Sequence, residues 1–180
     1  MLKKHVNLER LTINQISYLM RKLLLIRHAK SSWKFPDLGD HERPLNKRGE
    51  RDVLTMARQL EQRDDALDVI YSSTATRALD YAQALSAFTH TSLIPDLSFY
   101  TFDDEQLLEI LRQLPDEVER AAIVAHNPAI TLAVNHLTAS DFDNVPTAGI
   151  VAINCDVDSW ADLNSGQCEI DYFDYPKKFK

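Results

Sequence analysis

Cysteine is nearly absent from this chain of 180 residues: Cys155 and Cys168 are the only two. Neither has metal-ligand spacing around it, so two free thiols are expected rather than a disulfide or a zinc site. Long apolar runs are missing as well. None approaches the roughly 20 residues that cross a bilayer, so no membrane partner is expected. The start, Met1-Leu2-Lys3-Lys4-His5, is basic, but no continuous apolar core or small-residue cleavage site follows it. A secretory signal is therefore not expected, and a cytoplasmic location is. Internal repeats, low-complexity tracts and a second-domain linker are absent too. So is a broad basic footprint: the net charge is −7, which argues against a nucleic-acid partner. No carboxylate cluster suggests a metal site.

What is present fits one domain with a substantial core. Hydrophobic residues make up 44% of the chain and charged residues 26%, the balance of a soluble globular protein. Charge is unevenly laid out. Residues 1–60 hold 13 Lys and Arg against 6 Asp and Glu, whereas residues 61–180 hold 7 against 21. The basic first third can draw in an anionic substrate, or can simply lie on solvated helix faces. Residues 1–19 differ from the rest and read as an extension with no assigned function. Leu8, Leu11, Ile16 and Leu19 give them an imperfect apolar stripe. Met20 is a natural start for a single domain over 20–180.

Leu23-Leu24-Leu25-Ile26 reads as a fully buried strand, and a long polar loop from Ala29 to about Leu45 follows it. A loop of that length in a compact domain is often functional. Asn46 reads as a helix cap before Val53, Met56, Ala57 and Leu60, which share one helical face. Residues 68–71 form a strand, 75–88 a helix, and 92–94 a further short strand. A helix over 105–114 ends at Pro115. A buried strand over 121–125 precedes a helix that Pro128 opens. Residues 150–153 and 169–173 complete the strands. This alternation predicts an α/β fold: a mostly parallel central sheet with helices on both faces.

Three strand ends carry ionisable groups. Arg27-His28 follows the first strand, Ser72-Ser73-Thr74-Ala75-Thr76-Arg77-Ala78 the second, and Ala125-His126-Asn127-Pro128 a third. Loops at the C-terminal ends of parallel strands are where α/β proteins place their chemistry. A transferring phosphoryl group spreads negative charge over its oxygens, and guanidinium forks suit it. One histidine has to stay neutral to attack phosphorus, with its other ring nitrogen donating to a backbone carbonyl. A second, charged histidine completes such a pocket. His28 and His126 can divide these roles in either order.

Arg27-His28-Ala29-Lys30-Ser31-Ser32-Trp33 and Arg43-Pro44-Leu45-Asn46-Lys47-Arg48-Gly49, with the two later segments, resemble the histidine phosphatase superfamily. This is the phosphoglycerate-mutase-like group, and the likeness is strongest to its compact bacterial phosphohistidine phosphatase branch. It covers roughly residues 21–173. The resemblance implies a three-layer αβα sandwich and a covalent phosphohistidine intermediate on His28. It also implies a phosphate pocket of Arg27, Arg77 and His126, with no metal or other cofactor. Ser32 falls where the family often has a phosphate-contacting polar residue. Asn127 either orients His126 or opens the helix, and is expected among the substrate-binding residues. Trp33 and Phe35 are expected to pack the loop down rather than face substrate. His5, His41, His90 and His136 receive no role.

One departure from the family pattern bears on substrate. Members acting on phosphate esters usually carry a carboxylate just after the segment equivalent to Leu97-Ser98-Phe99-Tyr100, and here that position is Thr101. Asp103, Asp104 and Glu105 are the candidates for a substitute general acid, Asp103 first, although Asp103 and Asp104 also suit the cap of the helix beginning near Glu105. Imidazole is a better leaving group than an alkoxide, so a missing acid favours an N–P substrate. The expected function is removal of a phosphoryl group from phosphohistidine on a protein. A general phosphomonoesterase for small phosphate esters is the alternative. A non-catalytic phosphate-binding module is a third reading, disfavoured because Arg27, His28, Arg77 and His126 are all present.

Overall fold

A computed structural model describes residues 20–180; the expected extension over 1–19 lies outside the described residues. Six strands form one sheet: β1 (Arg21–Arg27), β2 (Val69–Ser72), β3 (Leu93–Pro95), β4 (Arg120–Ala125), β5 (Ile150–Cys155) and β6 (Cys168–Asp174). Their order is β3-β2-β4-β1-β5-β6. The first four are mutually parallel, and β5 runs antiparallel to β1 and to β6. The helices are α1 (Lys47–Arg63), α2 (Thr76–Thr89), α3 (Asp104–Arg112) and α4 (Ala129–Thr138).

Strand alternation divides the core into two layers. On one face Leu24, Ile26, Ala122 and Val124 pack with Val53, Met56, Leu60, Tyr81 and Leu85 of α1 and α2. On the other, Leu23, Leu25, Ala121 and Ile123 pack with Leu107, Leu111, Ile130 and Val134 of α3 and α4. The outcome is the expected three-layer αβα sandwich. β1 and β4 are buried from both sides, which is why their sequences are continuous apolar runs.

The expected helices and strands are found with ends shifted by a residue or two. Asn46 caps α1, accepting from the Arg48 and Gly49 amides. The base of the long loop is closed by backbone bonds from Ser32 N to Pro44 O (2.8 Å) and from Asn46 N to Lys30 O (2.9 Å). Gly49 makes this closure feasible, because a Cβ there would lie 2.2 Å from the Lys30 carbonyl oxygen.

The expectation for the cysteines is corrected: Cys155 and Cys168 are joined in a disulfide. The reason is strand register. Ile150 pairs with Asp174, and an unbroken antiparallel ladder would set Cys155 opposite Glu169. A bulge after Ala152 shifts the pairing by one and brings Cys168 opposite Cys155 instead. Sequence spacing carries no sign of such a bulge. Disulfides are uncommon in the cytosol, so the pairing weighs against the cytoplasmic location expected from the sequence. Cys155 lies beside Arg21, at the end of the sheet away from Arg27. Reduction is therefore expected to lower stability by about 2–3 kcal/mol, the scale for a loop of this length, without changing turnover. Urea unfolding with and without reductant, alongside an activity assay, checks both halves.

Candidate active site

Because β1, β2 and β4 are parallel neighbours, their C-terminal ends converge on one edge of the sheet, on either side of a topological switch. The His28 amide donates to Ala125 O (3.0 Å) and the Ser73 amide to Val124 O (2.9 Å). These bonds place His28, Ser73 and His126 side by side. The two histidine rings lie 5.0 Å apart between centroids. The turn before β5 closes the floor: Ala148 N donates to His28 O and Gly149 O accepts from Arg27 N, both at 3.1 Å.

His28 is held in one tautomer. Its Nδ1 lies 2.7 Å from the Ala29 carbonyl, which can only accept, so Nδ1 carries the proton. Nε2 is left with its lone pair, 3.3 Å from the Nε of Arg77. His126 is set the other way. Its Nδ1 lies 3.2 Å from Arg77 Nη2, a donor, so the proton is on Nε2, which donates to Ser73 Oγ at 2.8 Å.

Burial pushes the His28 pKa down. The Ala29 carbonyl acts against this, while the Arg77, Arg27 and Arg43 charges reinforce it, and the result is about 4. Burial, followed by His28 and Arg77, takes His126 to about 2. Burial, with Arg77 beside it, therefore favours the neutral His126 ring, whereas a charged second histidine was expected from sequence. A group with a lowered pKa stays unprotonated well below its ordinary range, so both rings are expected to be neutral at pH 6. A histidine NMR titration checks this, and a midpoint near 6.5 for His28 would contradict it.

Arg77, on the first turn of α2, is only 1% exposed. A guanidinium is tolerable at such depth only with its donors engaged. Besides the two histidines, Nη2 donates to Asp40 Oδ2 (2.8 Å) and Nη1 to the Asp40 carbonyl. Arg27 donates through Nη1 to Asn144 Oδ1 (2.9 Å) and Val145 O (2.8 Å), while its Nε is buried without a partner. Burial also lowers the Arg27 pKa.

The remaining expected residues divide. Asn127 donates through Nδ2 to Thr131 Oγ1 (2.8 Å), in the first turn of α4, and to Asn144 Oδ1 (2.9 Å), rather than to His126. It braces the segment that also receives Arg27. Ser32 is buried, and its Oγ accepts from the Lys34 amide at 3.2 Å. Asp103 caps α3, accepting from Gln106 N. Thr101 is buried and donates to Gln106 Oε1 at 2.6 Å. Trp33 and Phe35 are 76% and 52% exposed, so the expected inward packing is corrected. Backbone bonds already close the loop base, and the aromatics are left on the rim of a hollow with Leu38, Asp40 and Arg43.

Several residues at the site were not singled out by sequence. Ser73 fixes the His126 tautomer. Arg43, 8% exposed, stacks 3.7 Å over the Trp33 ring, donates to Asp40 Oδ1, and keeps Nε and Nη1 buried without partners. Tyr100 donates to Asp40 Oδ2 (2.8 Å), and its ring stands edge-on to His126 and His41. His41, given no role from sequence, lies 2.9 Å from Thr74 Oγ1 through its Nε2. Arg43 was legible as part of a segment resembling the family. Asp40 and His41 had no signal beyond the length of the loop, and Tyr100 none beyond its place in the segment before Thr101.

Chemically, the arrangement offers three guanidinium groups around one neutral imidazole nitrogen. Such a site can bind an oxyanion and present a nucleophile to it. Among the described residues no group of three His, Cys, Asp or Glu side chains is suited to a metal.

The sequence pattern of the histidine phosphatase superfamily (branch 1) matches residues 23–121. The chain belongs to that superfamily. An uncharacterised protein of Mycobacterium leprae is 29% identical over 168 residues, covering 84% of this chain and all of that one. Among solved structures, the protein histidine phosphatase SixA complexed with tungstate superposes with a TM-score of 0.74 at 18% identity, over 88% of this chain and 99% of the other. A mycobacterial glucosyl-3-phosphoglycerate phosphatase gives a TM-score of 0.60 at 14% identity, over 84% and 97%. At these identities the structural likeness establishes the phosphoglycerate-mutase-like fold. Superfamily membership in turn supports phosphatase activity.

Proposed function

We propose that this superfamily member removes the phosphoryl group from phosphohistidine on another protein, by way of a phosphorylated His28. The observation that carries the reading is the His28 tautomer. The Ala29 carbonyl holds the Nδ1 proton, and a pKa of about 4 keeps Nε2 unprotonated at physiological pH.

In the first step the Nε2 lone pair attacks phosphorus. An N–P bond forms to His28, the N–P bond to the substrate imidazole breaks, and the departing ring takes a proton from solvent. Arg27, Arg77 and His126 stabilise the charge on the equatorial oxygens. A bound phosphate dianion favours the charged form of His126 against the burial and the Arg77 charge that disfavour it, so the ring can donate a hydrogen bond to a phosphoryl oxygen. In the second step water attacks the phosphoryl group, its proton passes to solvent, the His28 N–P bond breaks, and orthophosphate leaves. Nucleophile and charge both come from side chains, so no metal or cofactor enters the proposal.

Two features favour N–P over ester substrates. Asp103 is committed to capping α3, and Thr101 is buried and cannot protonate a leaving group at neutral pH. An alkoxide leaving group would have no evident proton donor, whereas imidazole needs less help. SixA, whose fold this chain shares, is by its own description a protein histidine phosphatase. The test compares phosphate release from a histidine-phosphorylated protein domain with release from sugar and aryl phosphates. The proposal expects a strong preference for the phosphohistidine domain, with His28→Ala as the blank. Preference for an alkyl phosphate would contradict it and turn attention to Asp103.

A further inference from the structure

Arg77 has two usable edges, and the structure spends them differently. A guanidinium presents a side edge, Nε–H with one Nη2–H, and an end edge made of Nη1–H and the other Nη2–H. The side edge points at the reacting groups, with Nε 3.3 Å from His28 Nε2 and Nη2 3.2 Å from His126 Nδ1. The end edge is taken by one residue. Asp40 receives Nη1 on its backbone carbonyl and Nη2 on Oδ2. The same carboxylate accepts from Arg43 through Oδ1 and from the Tyr100 hydroxyl through Oδ2. Asp40 is thus fixed by three donors from three segments of the chain while it grips the rear of Arg77.

We propose that Asp40 is a positioning residue: it clamps the end edge of Arg77 so that the side edge meets the phosphoryl oxygens as a pre-set fork beside His28. This rests on the reading above that Arg77 clamps phosphate. A carboxylate is required because three donors converge on it, more than the single carbonyl oxygen of an amide accepts in good geometry. The clamp also explains the sequence layout. The loop after His28 runs out to Asp40 and returns through Arg43 to the closure at Asn46, so one excursion carries the nucleophile and the brace of the arginine opposite it. With the clamp gone, Arg77 keeps its charge but regains rotamer freedom, and misplacement by an ångström is costly when a transition state depends on bidentate contact.

The experiment measures orthophosphate affinity by calorimetry, kcat and KM, and thermal stability for the wild type, Asp40→Ala and Asp40→Asn. For Asp40→Ala the clamp predicts orthophosphate binding about tenfold weaker and kcat about 30- to 100-fold lower, on the scale of a misoriented catalytic donor. Asp40→Asn keeps one acceptor and is expected to fall between Ala and wild type in both quantities. Tighter orthophosphate binding in Asp40→Ala would overturn the proposal, since it would mean that Asp40 competes with phosphate for Arg77. A fall in melting temperature with kcat and phosphate affinity unchanged would also overturn it, leaving Asp40 a structural tether. Should Asp40→Ala not fold, Asp40→Asn decides on the same signs. Orthophosphate binding needs no turnover, so it still tests the clamp if the phosphohistidine reading fails.

Discussion

Replacing His28 with alanine is expected to reduce turnover by a factor of about 10⁴ or more, on the scale of losing a covalent nucleophile. The expectation rests on how the ring is held. The Ala29 carbonyl fixes one nitrogen as donor, the neighbouring strand end fixes the backbone, and the other nitrogen faces Arg77. No second imidazole can substitute by rotation, because His126 is buried with its Nε2 proton committed to Ser73. The loss should fall on kcat. Phosphate affinity should change by less, since the three arginines remain. Single-turnover kinetics with a histidine-phosphorylated domain measures it, and a variant within tenfold of the wild type would contradict a nucleophilic His28.

Arg77→Ala is expected to cost about 3–4 kcal/mol of transition-state stabilisation, a loss of several hundredfold in kcat/KM, as for other deleted oxyanion donors. Arg77 lies within hydrogen-bond distance of both His28 Nε2 and His126 Nδ1. Its removal deletes charge and fork together, and it also leaves the Asp40 carboxylate without its deepest partner. That carboxyl is pushed up by burial but pulled down more strongly by Tyr100 and Arg77, with Arg43, to about 2. Losing Arg77 should raise it toward the ordinary carboxylate range. Arg77→Lys should recover little, because an ammonium supplies charge without the planar edge. Steady-state kinetics on all three proteins checks this; a change of less than threefold in the alanine variant would contradict a phosphate-clamping role.

Much of the fold was legible because its determinants are local. Apolar runs at 23–26 and 121–125 mark strands buried on both faces, and Asn46 announces the start of α1. Arg27, His28, Arg77 and His126 were legible because each sits at a strand end or on the turn that follows, and the parallel sheet brings those ends together. What sequence missed depends on where a loop folds or how a ladder slips. Asp40 lies in a loop whose path is set by Arg77 and Arg43, so its partner is known only once the loop closes. Trp33 looked like loop packing because aromatics usually serve burial; Arg43 stacks on it from one side and solvent takes the other. The disulfide follows from one bulged residue in β6. The lowered proton affinity of His126 comes first from burial and then from its neighbours, among them Arg77, an environment that no single segment contains.

The central claim is that the phosphoryl group passes through His28, and trapping the enzyme in mid-reaction tests it most directly. The protein would be mixed with a histidine-phosphorylated domain, quenched in alkali within milliseconds to seconds, and digested for mass spectrometry. The account predicts one added phosphoryl group, acid-labile and alkali-stable as an N–P bond is, on the peptide carrying His28, and none in Arg77→Ala at the same time point. Full phosphate release with no phosphorylated intermediate at any quench time, or a phosphoryl group on His126 instead, would contradict it.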